Sequence, residues 1–139
     1  MAKATSPFSH ADVVYSYTRA EAIADGVLVD LMQPDFLDLF RDAGIKFPCA
    51  MTIDAFSTYV DMSPELQKET GQDIKGRLWD ILWMFRQQAR QTTPGTDTLY
   101  FKFVATTDRL VTKEHVLKAV VGPGDQGEPV ITFMHPWED

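Results

Sequence analysis

FRQQARQTTPGTDTLYFKFVA, residues 85–105, holds the change of period that decides the fold. Up to Arg90 the apolar residues recur every three or four positions, and beyond the Thr92-Thr93-Pro94-Gly95 breaker the text turns alternating and β-rich. Working upstream, Asp73 is placed to cap a helix that runs to about Arg90. Ile74, Leu78, Ile81, Leu82, Phe85 and Ala89 make one stripe at 3.6-residue spacing, widened by Trp79 and Trp83. So wide an apolar face predicts a central, largely covered helix. Working downstream, the stretches 99–105, 114–121 and 129–134 have strand length and are rich in Val, Ile, Phe or Tyr. Strands gathered at the end, helices before them and no βαβ alternation predict an α+β fold. Its expected form is a set of N-terminal short helices and one long central helix packed on a C-terminal three-stranded antiparallel sheet.

The first half supplies the short helices. Thr18-Arg19-Ala20-Glu21 is a capping-box pattern, opening a helix to about Ala24 that ends at the Asp25-Gly26 turn. Residues 27–31 read as a brief extended segment. Gln33-Pro34 is read as opening a second helix, closed by Gly44, with Phe36, Leu37, Phe40 and Ala43 on one side and Asp35, Asp38 and Asp42 on another. Thr52 is placed to cap a third helix through Val60 that turns Ile53, Phe56 and Val60 inward, and Ser63-Pro64-Glu65 starts a fourth that Gly71 interrupts. Residues 1–12 are small, polar and without period, which reads as a flexible arm, and 13–139 read as a single α+β domain. There are no internal repeats.

Composition bounds the function. At 139 residues with 45% hydrophobic and 12% aromatic content, one core can form and disorder is excluded. The longest apolar runs fall far below the roughly 18 residues that span a bilayer, and MAKATSPFSHADVV lacks the apolar centre of a signal peptide. A cytoplasmic protein without membrane contact is expected. Cys49 is the only cysteine, so no internal disulfide forms. The formal charge of −7 is uneven: residues 1–73 hold 12 Asp/Glu against 5 Lys/Arg, and residues 74–139 hold 8 against 8. An acidic surface repels the nucleic-acid backbone, which points to a protein partner with a basic surface and away from direct nucleic-acid binding.

The glycine-rich stretch GPGDQGE at 122–128 raises the question of a phosphate cradle. Such a loop follows a strand, opens a helix and carries Lys and Ser/Thr; this one leads into a strand and has neither. It predicts a hairpin connection whose glycines take positive-φ positions, leaving Asp125 and Glu128 as the residues able to face a ligand. Nucleophilic catalysis finds no local signature. His10, His115 and His135 are scattered along the chain, and Cys49 sits in the apolar setting of a buried, inert thiol. No HxxxH or ExxH spacing occurs, so neither a metal site nor a cofactor is expected. Tyr15, Tyr17 and Trp137 lie at element ends, where aromatic residues seal core edges. Asp35, Asp38 and Asp42 stand at offsets of three and four. They form either a solvated polar face or a row of charge that docks on an Arg/Lys surface.

Four blocks carry a resemblance: YSYTRAEAIADGVLVDL at 15–31, RDAGIKFPCAMT at 41–52, GRLWDILWM at 76–84 and AVVGPGDQGEPVITFMHPWED at 119–139. With these the chain resembles a family of uncharacterised small proteins carried by bacterial plasmids, conjugative elements and phages. The resemblance supplies no catalytic or binding residues. It implies a context, an accessory gene acting on host defence, replication control or transfer.

Three functional readings follow. The first is a non-enzymatic accessory protein that uses Asp35, Asp38 and Asp42 to occupy a basic surface of a host or element protein, for instance a nucleic-acid-handling complex, as an anti-CRISPR or anti-restriction factor would. The second is a small enzyme whose site forms between the Asp25 turn and the 122–128 hairpin, with Arg19, Asp25, Asp125 and Glu128 lining a pocket. A homo-oligomeric regulatory module is a third.

Overall fold

The computed structural model describes residues 17–106 and 111–139. In chain order the elements are α1 (Arg19–Ala24), β1 (Leu28–Asp30), α2 (Leu37–Ala43), β2 (Cys49–Thr52), α3 (Ile53–Tyr59), α4 (Pro64–Thr70), α5 (Ile74–Arg90), β3 (Thr98–Thr106), β4 (Thr112–Pro123) and β5 (Pro129–Met134). The helix starts follow the capping chemistry. The Thr18 hydroxyl accepts from the Glu21 N–H while the Glu21 carboxylate accepts from the Thr18 N–H, satisfying two backbone donors that a helix start leaves open. Ser63 and Asp73 accept from Leu66 N–H and Gly76 N–H in the same way for α4 and α5. Residues 1–16, including the expected arm, His10 and Tyr15, lie outside the described residues.

The expected three-stranded antiparallel sheet with one long central helix is overturned. The strands form one five-stranded mixed sheet in the order β1-β2-β5-β4-β3. β1–β2, β5–β4 and β4–β3 pair antiparallel, whereas β2 and β5 run parallel, Cys49 beside Ile131 and Met51 beside Phe133. The strand missed is β2. Its four residues, Cys-Ala-Met-Thr, are all buried, so the two-residue alternation that marks a half-exposed strand is absent. Thr52 conceals it further, because it ends β2 and also caps α3, accepting from the Ala55 N–H.

The core lies between α5 and the sheet. Leu78, Ile81, Leu82 and Phe85 face Phe101, Leu117 and Phe133, and Phe85 meets Phe101 and Phe133 edge-on at 5.7 and 5.1 Å. Full burial of a side chain such as Phe133 stabilises by about 1.5–3 kcal/mol. The helix covers one side only. Trp83 and Met84 remain 38% and 39% exposed, so the widened stripe does not make α5 a covered centre. Two boundaries also differ from expectation. The segment from Gln33 to Phe36 is a turn closed by Phe36 N–H to Gln33 C=O at 2.9 Å, so α2 opens at Leu37. Ile53 points outward at 41% exposure. Among the described residues no helix is long and apolar enough to cross a membrane.

Candidate functional site

The hairpin after β4 reaches back to the first helix. Asp125 accepts from the Arg19 N–H at 2.8 Å and from the Ala20 N–H at 2.9 Å, so its carboxylate caps α1 from outside. The Ala20 and Arg19 amides hold that carboxyl below its ordinary range. The Arg19 guanidinium forks onto β5, donating from Nη1 to Thr132 Oγ1 at 2.7 Å and from Nη2 to the Ile131 carbonyl at 2.9 Å. Both residues line an open cleft of about 640 Å³ with Thr52, Thr132 and Glu138. There Glu138 accepts from the Thr52 hydroxyl and the His135 N–H, each at 2.8 Å. Every one of these polar groups is engaged within the chain.

Of the four residues expected in a pocket, Arg19 and Asp125 come together and Asp25 and Glu128 do not join them. Asp25, at the far end of α1, accepts from the Tyr17 hydroxyl at 2.6 Å. Glu128 folds over its own loop and accepts from the Gln126 N–H at 2.9 Å. Within the 122–128 loop only Gly127 takes a positive φ, 81°. Gly124 serves space instead, because a Cβ there would collide with the Glu128 carboxyl.

A second cluster was not legible in the sequence. Tyr59, from the end of α3, sets its hydroxyl 3.2 Å from His115 Nδ1, and its ring lies 4.9 Å from that of His115 and 5.6 Å from that of His135. Arg77 donates to the Tyr59 carbonyl at 3.1 Å, and Trp137 stacks on His135 at 4.4 Å. Burial, reinforced by Lys113, lowers the His115 pKa, and burial raises that of Tyr59. His115 Nε2, His135 Nδ1 and Arg77 Nη2 are buried with no hydrogen-bond partner among the described residues. Strand parity is the one signal that could have found the pair: His115 shares a face of β4 with Leu117 and Ala119, and His135 continues the face of Ile131 and Phe133.

A family model matches residues 5–139, nearly the whole chain. The chain belongs to the DUF6573 family, a family of unknown function. Comparison with curated proteins and with solved structures gives no match. Function in this DUF6573 chain therefore rests on its own residues.

The acidic row of this DUF6573 chain is not built as a single helical face. Asp35 lies in the turn before α2, and Asp38 and Asp42 lie on the helix. Asp38 pairs with Lys75 at 3.3 Å, a bond that holds its carboxyl below the ordinary range, and Asp42 pairs with its neighbour Arg41 at 3.3 Å. Among the described residues no three His, Cys, Asp or Glu side chains gather as a metal site. Cys49 is buried, with its thiol pushed up to about 12 by desolvation.

Proposed function

We propose that this protein is a non-enzymatic accessory protein of a mobile genetic element, acting in the bacterial cytoplasm by binding a basic surface of a host or element protein. The observation that carries the reading is unpaired charge on the helical half. Residues 35–73 contain eight Asp/Glu against three Lys/Arg, and only Asp38 and Asp42 of the eight have a cationic partner among the described residues. The other six, Asp35, Asp54, Asp61, Glu65, Glu69 and Asp73, are all exposed. Such a field steers association with a cationic surface and repels nucleic acid. Surfaces that hold nucleic-acid phosphates are cationic, so a restriction or CRISPR complex is the kind of partner this charge fits, and an anti-defence role follows. The enzyme alternative gains no support from Arg19 and Asp125, whose polar groups are engaged in holding α1 to β5.

Capture of the tagged protein's partner from its bacterial host at low salt tests the proposal. Two variants accompany it, Asp35→Lys/Asp38→Lys/Asp42→Lys and Asp54→Lys/Glu65→Lys/Glu69→Lys, each checked for fold by circular dichroism. A nucleic-acid-handling complex that is released by rising salt and lost from either variant supports the reading. A complex retained equally by parent and both variants overturns it.

A further inference from the structure

Between the loop after α2 and the last turns of α5 lies a recess of about 410 Å³. Its walls are apolar, formed by Ile45, Phe47, Phe85, Ala89 and Ile131, and its charged lining is entirely cationic: Lys46, Arg86 and Arg90. The local fold explains the gathering. Gly44 closes α2 at φ 75°, turning the chain so that Lys46 and Phe47 come up beside α5. Arg86 and Arg90 stand four residues apart, one turn above the other on the same helix face. Arg86 lies 5.4 Å over the Trp83 ring, half-buried. Among the described residues none of the three cations has a carboxylate partner. In a chain of net charge −7, three cations without a carboxylate partner are gathered around one apolar recess.

We propose that this recess is a binding site for a small organic anion with an apolar body, its carboxylate or sulfonate head held by Lys46, Arg86 and Arg90 and its hydrocarbon or aryl part against Phe47, Phe85 and Ile131. The volume is that of a small-molecule site. A neutral apolar ligand would partly desolvate the cations with nothing to offset that loss, and a bare inorganic anion would leave the apolar walls wet. Only an amphipathic anion satisfies both parts. Screening at physiological salt confines the effect of the distant carboxylates to about 8 Å, so the three local cations set the sign of the field here. The site is independent of the acidic helical surface and stands or falls without it.

Two fluorescent probes separate the contributions: 8-anilinonaphthalene-1-sulfonate, and N-phenyl-1-naphthylamine, which has the same rings without the sulfonate. The expected result is saturable one-to-one binding of the sulfonate probe, displaced by octanoate and not by inorganic phosphate. Lys46→Gln/Arg90→Gln, at two exposed positions, is expected to weaken the sulfonate probe about tenfold or more, as loss of charge-assisted contacts requires, and to leave the neutral probe within about twofold. Phe47→Ser weakens both probes, and Asp54→Lys/Glu65→Lys/Glu69→Lys weakens neither. The proposal is overturned by the absence of saturable binding, by equal affinity in parent and Lys46→Gln/Arg90→Gln, or by displacement with phosphate alone.

Discussion

Asp125 caps a helix that begins 106 residues before it, its two carboxylate oxygens accepting from the N–H groups of Arg19 and Ala20. A helix start leaves several backbone donors open, and a local residue such as Thr18 satisfies only some of them. The loop of a late hairpin closes the remainder, and Arg19 answers by forking onto the strand that follows that loop. The first helix is thus fastened to the middle of the sheet by reciprocal polar contacts.

Replacing Asp125 by Ala removes the outside cap, and its effect depends on pH with a definite sign. The folded-state pKa of Asp125 lies below its ordinary value because the two amides favour the ionised form. Its stabilisation is therefore complete above the unfolded pKa of about 3.9 and is lost as pH falls through the lower folded value. Urea denaturation from pH 7 to pH 2.5 should show Asp125→Ala less stable than the parent at neutral pH, with the gap closing in acid. A constant gap would remove the carboxylate from the explanation.

Arg19 and Thr132 should be energetically coupled. In a double-mutant cycle of Arg19→Ala and Thr132→Val, read by urea denaturation, the coupling is expected to be about 1 kcal/mol. Arg19→Lys should recover only part of the loss, since an ammonium cannot donate to the Thr132 hydroxyl and the Ile131 carbonyl in one planar fork. Additive single substitutions would contradict the pairing.

Burial of His115 makes stability fall on mild acidification. Burial depresses the folded His115 pKa, so the unfolded chain takes up its proton first. Stability is full above the unfolded value of about 6.5 and declines as pH drops below it toward the folded value. His115→Gln should flatten the stability profile between pH 7.5 and pH 5. Tyr59→Phe, which removes the hydroxyl partner of His115 Nδ1, should cost about 1 kcal/mol at pH 7.5 by thermal or chemical denaturation.

Cys49 should resist thiol reagents while the chain is folded. Its thiol is pushed up to about 12 and donates to the Phe47 carbonyl at 3.3 Å, so almost no thiolate is present at pH 8 and access is closed. Iodoacetamide labelling followed by mass spectrometry should be slow in buffer and fast in urea. Rapid labelling under native conditions would place the thiol in a different environment.

The local chemistry of this chain was legible because its signals are local. Thr18 with Glu21, Ser63 before Pro64, and Asp73 before α5 each stated a helix start that the structure repeats. The bounds of β5, Pro129–Met134, are legible from its strand length and its Val, Ile and Phe content. What failed depends on contacts across the fold. β2 is buried on both faces by partners that no window of sequence contains, and Asp35 leaves its row because the turn from Gln33 to Phe36 displaces the helix start. Of the residues placed in a candidate pocket, Arg19 and Asp125 have backbone amides, a carbonyl and a threonine as partners, contacts that no sequence spacing states. Tyr59 and His115, 56 residues apart, meet only because of strand register.

The parallel pairing of β2 with β5 has a consequence for how the chain is made. β5 is synthesised after every other described strand yet occupies the centre of the sheet. On the ribosome, β3–β4 can zip as a local hairpin and β1–β2 can pair across the connection that carries α2, but until β5 emerges they are two unjoined pieces with open inner edges. Folding of the sheet therefore waits for β5 to emerge, and a chain cut short before residue 129 leaves the inner edges of β2 and β4 open to its neighbours, a form of nascent protein prone to aggregation.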